Sequence, residues 1–418
     1  MDDGRRLREV DVLVVGAGPG GLAAAAALGA RGAGRVEVVD REQETGGIPR
    51  HSVHAGYGLR DLHRAMSGPA YARRRTELAV DAGATVRTDV SVTGWAGPLT
   101  LDMTSPAGLE RVTARAVVLA TGARERPRPA RLIPGTRPDG VWTTGRLQQA
   151  VLAGQPVGRR AVVVGAEHVS FSAVVTLAHA GVRVVAMVTD LPRHQSYGAF
   201  RAGALLRWGF PLLTDTAVTR LLGRPRLTGV EVRSSTGRTA VLDADTVVLT
   251  GDWIPDHELA RRGGLLMDAG TRGPAVDTAF RTSVPGVFAA GNLVHPVETA
   301  DAVALEAEPL ADAVVRHLAG LAEAAAPVPV RVEAPLAWIA PNLLDPAGPA
   351  PPRDRFVLWS RAFADRPVVE VVQAGRPLYR DRSWRPLVPN RPAYLTSAWM
   401  RRVDPGGGPV TARLARET

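Results

Sequence analysis

The residues best suited to chemistry form the run Gly16-Ala17-Gly18-Pro19-Gly20-Gly21, a G-x-G-x-x-G pattern between an apolar strand and an alanine-rich helix. In such a run the first glycine makes the turn and the second lets backbone approach a pyrophosphate. The third lets the helix pack on the strand. The helix N-terminus then offers N–H groups and a positive dipole end to phosphates. Asp40 closes the next apolar strand, where an acid accepts from a ribose hydroxyl. The glycine run alone is a weak signal. With both strands, the helix and the acid in order, it predicts a dinucleotide site.

An altered copy follows at Gly165-Ala166-Glu167-His168-Val169-Ser170. Glutamate replaces the second glycine and serine the third. A carboxylate set against a diphosphate repels it in a partly desolvated pocket. Glu167 is therefore expected to point to where a pyrophosphate would lie and to weaken NAD(P) binding. The alternative is a tolerated deviation that still binds NADH. No basic cluster ends the following strand, Met187–Asp190, to hold a 2′-phosphate.

The chain has no cysteine and no lysine, and all 51 basic residues are arginine. That excludes disulfides, thiolate metal sites, cysteine-ligated clusters and thiol nucleophiles. It also excludes Schiff-base and P-loop lysines. Serine, histidine and aspartate show no nucleophile-elbow spacing. No His/Asp/Glu spacing suggests a metal, and none is expected.

These residues need elements to hold them, and 418 residues at about 150 per domain suggests two or three domains. The first block opens with a strand at Val10–Val15, a glycine turn, a helix to Ala30 and a strand at Val36–Asp40. A helix over Tyr71–Ala82, short strands and the run Val117–Gly122 follow. The second block repeats the plan, from Ala161–Val164 to Thr246–Gly251, which suggests an internal repeat. The chain then returns to the first block with Val287–Asn292 and a helix over Glu298–Ala319. The expected fold is α/β: two Rossmann-like dinucleotide-binding domains plus a small C-terminal β-rich domain. The expected boundaries are 1–144 with 252–320, an inserted 145–251, a Pro/Ala-rich linker at 321–335, and 336–418.

The chain resembles the two-dinucleotide-domain flavoproteins, the pyridine nucleotide–disulfide oxidoreductase superfamily. The matching pieces are the Gly16–Gly21 run, Gly46-Gly47, Ala120-Thr121-Gly122 and the run Thr282–Asn292. A closer resemblance is to the flavoprotein subunits of the opine oxidase, hydrogen cyanide synthase and anaerobic glycerol-3-phosphate dehydrogenase type. Gly46–His51, Gly68–Arg74, Val163–Val174 and Gly251–Arg261 carry it. The resemblance implies FAD at the first site and an NAD(P)-type fold in the insert. It assigns FAD contacts to Gly16, Gly18, Pro19, Gly20, Gly21, Asp40, Arg41, Gly46, Gly47, Val92, Ala120, Thr121, Gly122, Gly291, Asn292 and Thr299. The superfamily's late motif ends Gly-Asp, whereas this chain has Gly291-Asn292; asparagine can still bond a hydroxyl. Glu298–Asp301 would start a helix near the flavin, its dipole favouring the reduced anion.

With a flavin implied, hydride transfer is the expected chemistry, and the protein supplies positioning and electrostatics. His51 and His295 are candidate bases and Glu298 a third catalytic candidate. Each also reads as an ordinary loop or helix-start residue. Three functions follow. The first is an oxidoreductase component acting on a C–N or C–OH bond of a small molecule, with a second flavoprotein subunit or as a homo-oligomer. The others are an NAD(P)H-dependent flavin reductase and a non-catalytic flavoprotein subunit. The net charge of +10 is spread along the chain, and no nucleic-acid partner is expected. Val12–Ala30 is uncharged, but its glycines and the acids before it argue against a signal or membrane span. A cytoplasmic protein is expected.

Overall fold

The computed structural model describes residues 4–321, 327–382 and 385–415. The chain divides into two units, one of residues 1–50, 55–123 and 255–418 and one of 51–54 and 124–254.

The first unit is built on a parallel sheet ordered Thr85–Arg87, Val36–Val39, Arg6–Val15, Gly108–Leu119. Val287–Ala289 adds in parallel to the end of Gly108–Leu119. Thr100–Ser105 and Ser91–Gly97 extend the other end of that long strand as an antiparallel pair. Alternate residues of the first strand enter two cores. Val12 and Val14 pack with Leu22, Ala24 and Leu28 of the first helix, and Leu13 and Val15 pack with Leu101, Val117 and Leu119. A strand buried on both faces must be apolar throughout, which is why Val12–Val15 shows no alternation. The helix Pro19–Ala30 starts with proline in its first turn, where a missing N–H costs nothing. The expected helix over Glu298–Ala319 is two helices, Ala300–Ala304 and Ala307–Leu318. The break sends Glu306 inward, and it is buried.

The same unit carries the C-terminal strands. Five form one sheet, including Val328–Val332 beside Val410–Leu414, and Leu336–Ala340, Arg355–Ser360 and Ala393–Thr396 form another. Val328 and Val330 are buried in their core. The expected linker therefore contains a strand, and residues 322–326 of it lie outside the described residues.

The second unit repeats the plan. Its parallel sheet runs Leu212–Leu213, Arg183–Val188, Arg160–Val164, Thr246–Leu249, Val141–Thr143. A three-stranded antiparallel sheet, Thr216–Leu222, Gly229–Ser234 and Thr239–Asp243, packs on it. The entry to this unit lies at residue 124, not 145. The reason is Val141–Thr143, which pairs in register with Val247–Leu249 and so belongs to the second sheet.

Candidate FAD site

The first glycine turn is closed by contacts that tolerate no side chain. Gly16 has φ +109°, and a Cβ there would lie 2.5 Å from the Ala120 carbonyl oxygen. A Cβ on Gly21 would lie 1.9 Å from the Gly16 oxygen, so only glycine lets the helix start this close to the strand. Gly18 differs: nothing among the described residues lies within 4 Å of its Cβ position, so its space is open. No described side chain caps the helix that follows, and its first turn holds no acid. Open space at the second glycine and an uncapped helix N-terminus fit a pyrophosphate.

The other loops converge on this turn. The Gly46 N–H donates to the Ala17 carbonyl at 2.7 Å, and a Cβ on Gly47 would lie 3.0 Å from the Gly18 Cα. Positions on Gly20 and Gly291 would each meet Val303 Cγ1 at 2.9 Å, bringing the late motif against Pro19-Gly20. The Ala120 N–H donates to the Val15 carbonyl. Thr121 Oγ1 donates to the Asp256 carbonyl at 2.7 Å, and the Asp256 N–H donates to the Gly122 carbonyl at 2.9 Å. Asp40 accepts from the Ala17 N–H at 2.7 Å and the Glu42 N–H at 2.9 Å, which fixes its carboxylate beside the turn. Arg41 is exposed and pairs with Asp256 at 3.3 Å. Val92 lies opposite Met103 and packs on the apolar core, two residues after Val90, whose N–H donates to the Asp40 carbonyl at 2.9 Å.

Asn292 explains the departure from Gly-Asp. Its Oδ1 accepts from the Glu298 N–H at 2.8 Å, and its Nδ2 donates to the Glu298 carbonyl at 3.1 Å. An amide does both at once, and a carboxylate cannot. Thr299, exposed, donates to Asp301 Oδ1 at 2.5 Å and accepts from Arg60 Nη1 at 3.3 Å. It immediately precedes the helix Ala300–Ala304.

His295 and Glu298 are not open to solvent; they are 3% and 4% exposed. His295 Nε2 bonds Glu306 Oε1 at 2.5 Å, and the other Glu306 oxygen accepts the Gly291 N–H at 2.9 Å. Burial would lower the His295 pKa, but Glu306 and then Glu298 outweigh it and hold it at about 9. His295 is thus buried with its Nε2 engaged by a carboxylate and its pKa raised, a setting that does not favour a general base. Glu298 Oε1 accepts from Tyr394 Oη at 2.6 Å, and Arg353 Nη2 lies 3.4 Å from Oε2. The Arg355 guanidinium sits 4.0 Å over the Tyr394 ring. His295, Glu298 and Glu306 offer ligand atoms within 4.8 Å of one another, a grouping that spacing in the chain did not suggest. Glu306, Tyr394, Arg353 and Arg355 were missed by sequence reasoning. The one usable signal was Glu306, an acid inside an alanine- and leucine-rich run. His51 ends the single helical turn Ile48–His51 and groups with the second unit.

In the second unit Glu167 turns inward, and it is buried. Its Oε2 accepts the Ala166 N–H at 2.9 Å, and the Thr250 and Ser170 hydroxyls also act on the carboxyl. Cβ positions on Gly165 and Gly251 would lie 2.7 Å and 2.9 Å from its oxygens. In the first turn the matching N–H, of Ala17, goes to Asp40. Burial pushes the Glu167 carboxyl above the usual carboxylate range. Glu167 therefore folds into this turn as a buried side chain, rather than presenting an exposed carboxylate to a pyrophosphate as expected from sequence.

Comparison with known proteins agrees with this geometry. A ferredoxin–NADP reductase of Salinispora arenicola is 30% identical over 297 residues, 69% of this chain and 87% of that protein. The alpha subunit of the Rhizobium meliloti sarcosine oxidase is 30% identical over 264 residues, 61% of this chain and 25% of that protein. An opine oxidase subunit of Agrobacterium tumefaciens is 35% identical over 158 residues, 34% of this chain and 29% of that protein. The thioredoxin reductase of T. acidophilum has the same fold, with TM-score 0.62 and 21% identity over 74% of this chain and 98% of that one. The family model for pyridine nucleotide-disulphide oxidoreductases matches residues 10–307. No described helix is long and apolar enough to cross a membrane. The glycine cradle fits FAD, and the chain belongs to the pyridine nucleotide-disulphide oxidoreductase family as an FAD-dependent oxidoreductase with no cysteine.

Proposed function

We propose that the protein is the FAD-binding component of an oxidoreductase that takes hydride from a C–N or C–OH bond of a small substrate, without NAD(P)H. The observation that carries this is the Glu167 carboxyl buried in the second glycine turn, where it takes the Ala166 N–H. A dinucleotide needs room for its pyrophosphate at the second glycine of that turn, and here that position is the buried Glu167. The absence of cysteine removes the disulfide relay that would connect reduced flavin to a thiol substrate. Bound FAD supplies the two-electron acceptor. The chain's own work is to hold the pyrophosphate at the uncapped helix and the ribose at Asp40. It also keeps the 292–298 loop in place through Asn292.

A substrate that loses hydride from carbon must also lose its N–H or O–H proton. His51, which follows the Gly46–Arg50 run directly in the chain, is the proposed acceptor of that proton, and His295 is buried and bonded to Glu306. Two relatives are named as oxidase subunits, which supports work beside a second subunit. The match spans only 25% and 29% of those two proteins, so that assembly is part of the proposal. So is a cytoplasmic location. The likeness to a ferredoxin–NADP reductase over two thirds of the chain favours a second reading, a reductase fed by NADPH.

The test is anaerobic reduction of the FAD-bound protein by a panel of secondary amines and hydroxy acids. Bleaching of the flavin absorbance by one of them, lost in His51→Ala, is the expected result. Bleaching by NADPH alone moves the protein to the second reading.

A further inference from the structure

Where the late glycine motif meets the C-terminal strands lies a cavity of about 20 Å³, room for a single water-sized group. His295, Glu306, Arg353 and Arg355 line it, with apolar side chains such as Phe280 and Val357. Four buried nitrogens of these side chains have no hydrogen-bond partner among the described residues: His295 Nδ1, Arg353 Nε and Nη1, and Arg355 Nε. Buried donors left unsatisfied are rare and call for a partner. The carboxylates nearby bond other donors and leave these four nitrogens unmet. Glu298 serves Tyr394 and Arg353, and Glu306 serves His295 and the Gly291 N–H.

The charges lean the same way. Two guanidiniums, and the His295 ring with its raised pKa, share the recess with two carboxylates. Burial, and then Arg353 beside it, push the Arg355 pKa down, as expected where cations crowd. The backbone is shaped for this crowding: Arg353 and Asp354 hold φ +59° and +54°, two consecutive non-glycine residues in the left-handed region. A cation could be held by His295, Glu298 and Glu306 on distance alone. Each carboxylate already accepts from two donors, however, and two guanidiniums stand beside them, which disfavours a cation.

We propose that this recess is a binding site for a small monoanion, held by Arg353, Arg355 and His295. Its source is either a free halide or the carboxylate end of a small organic acid. The site stands whether the protein oxidises C–N or C–OH bonds.

The experiment uses the FAD-bound protein in halide-free buffer. Sodium bromide or sodium formate is titrated while sodium sulfate keeps the ionic strength constant, and the melting temperature is followed. Crystals soaked in bromide are examined for an anomalous peak beside Arg353 and Arg355. A saturable rise with bromide and a peak there assign a halide. A saturable rise with formate alone assigns a carboxylate. Arg355→Met should weaken the binding by at least about tenfold, the loss of one charge-assisted hydrogen bond, and Arg355→Lys should restore part of it. A response that never saturates, equal in Arg355→Met, and no bromide peak in the wild type would overturn the proposal. So would saturable stabilisation by Mn²⁺ that His295→Gln removes, because it assigns a cation instead.

Discussion

Raising the pH should loosen this protein through one buried pair. His295 and Glu306 are bonded at 2.5 Å, and Glu306 also accepts from Gly291 of the cofactor-binding motif. Burial favours the neutral ring, but Glu306 and Glu298 lift the His295 pKa from 6.5 to about 9. A group whose pKa is raised on folding stabilises fully below its unfolded pKa. It loses that contribution as pH rises through the folded value. The window is therefore about pH 6.5 to 9. At about 1.4 kcal/mol per unit the rise corresponds to roughly 3 kcal/mol. The assay is the melting temperature of FAD-bound wild type and His295→Gln from pH 6 to 9.5. The gap between them should narrow by several degrees over that window, at about 2 °C per kcal/mol or less in a chain of this size. Flavin release should begin earlier in the wild type at pH 9.5 than at pH 7. A gap that stays constant from pH 6.5 to 9.5 would refute the assignment of a charged ring.

Gly18→Val should fold but lose flavin, because its Cβ enters open space rather than protein; native circular dichroism with no bound FAD checks it. Gly21→Val should instead fail to fold stably, since its Cβ would meet the Gly16 oxygen at 1.9 Å; expression and melting temperature distinguish the two. Asn292→Asp removes the donor to the Glu298 carbonyl and should cost about 1–3 kcal/mol, read by denaturant unfolding. Tyr394→Phe strips Glu298 of its 2.6 Å donor and should cost about 1.5–3 kcal/mol, with the C-terminal strands becoming sensitive to protease first.

What could be read from the sequence is what depends on local chain geometry. The first glycine turn was legible because the G-x-G-x-x-G spacing sits between a strand and a helix, and Asp40 stands where the next strand ends. The second unit was legible as a repeat because apolar runs leading into Thr-Gly mark the same strand twice, Gly108–Leu119 in the first unit and Thr246–Leu249 in the second. Val141–Thr143 was missed because three residues carry no pattern; only pairing with Val247–Leu249 makes them a strand. Val328–Val332 was hidden by prolines that read as a linker. The direction of Glu167 was also beyond reach. A glutamate after a glycine turn can lie over the loop or fold into it, and Thr250 and Gly251, more than eighty residues on, decide this. The cluster at Glu298 draws Tyr394 and Arg353 from the far end of the chain, and no spacing announces that.

The functional reading stands or falls on an open FAD turn and a second glycine turn closed by Glu167. Stopped-flow reduction of the FAD-bound protein by NADH and by NADPH, without oxygen, decides between closed and open, with Glu167→Gly alongside. Reduction of the wild type should be slow and should not saturate at micromolar nucleotide, while Glu167→Gly should be reduced faster and bind the nucleotide more tightly. Rapid reduction of the wild type at micromolar NADH or NADPH would contradict a closed second turn.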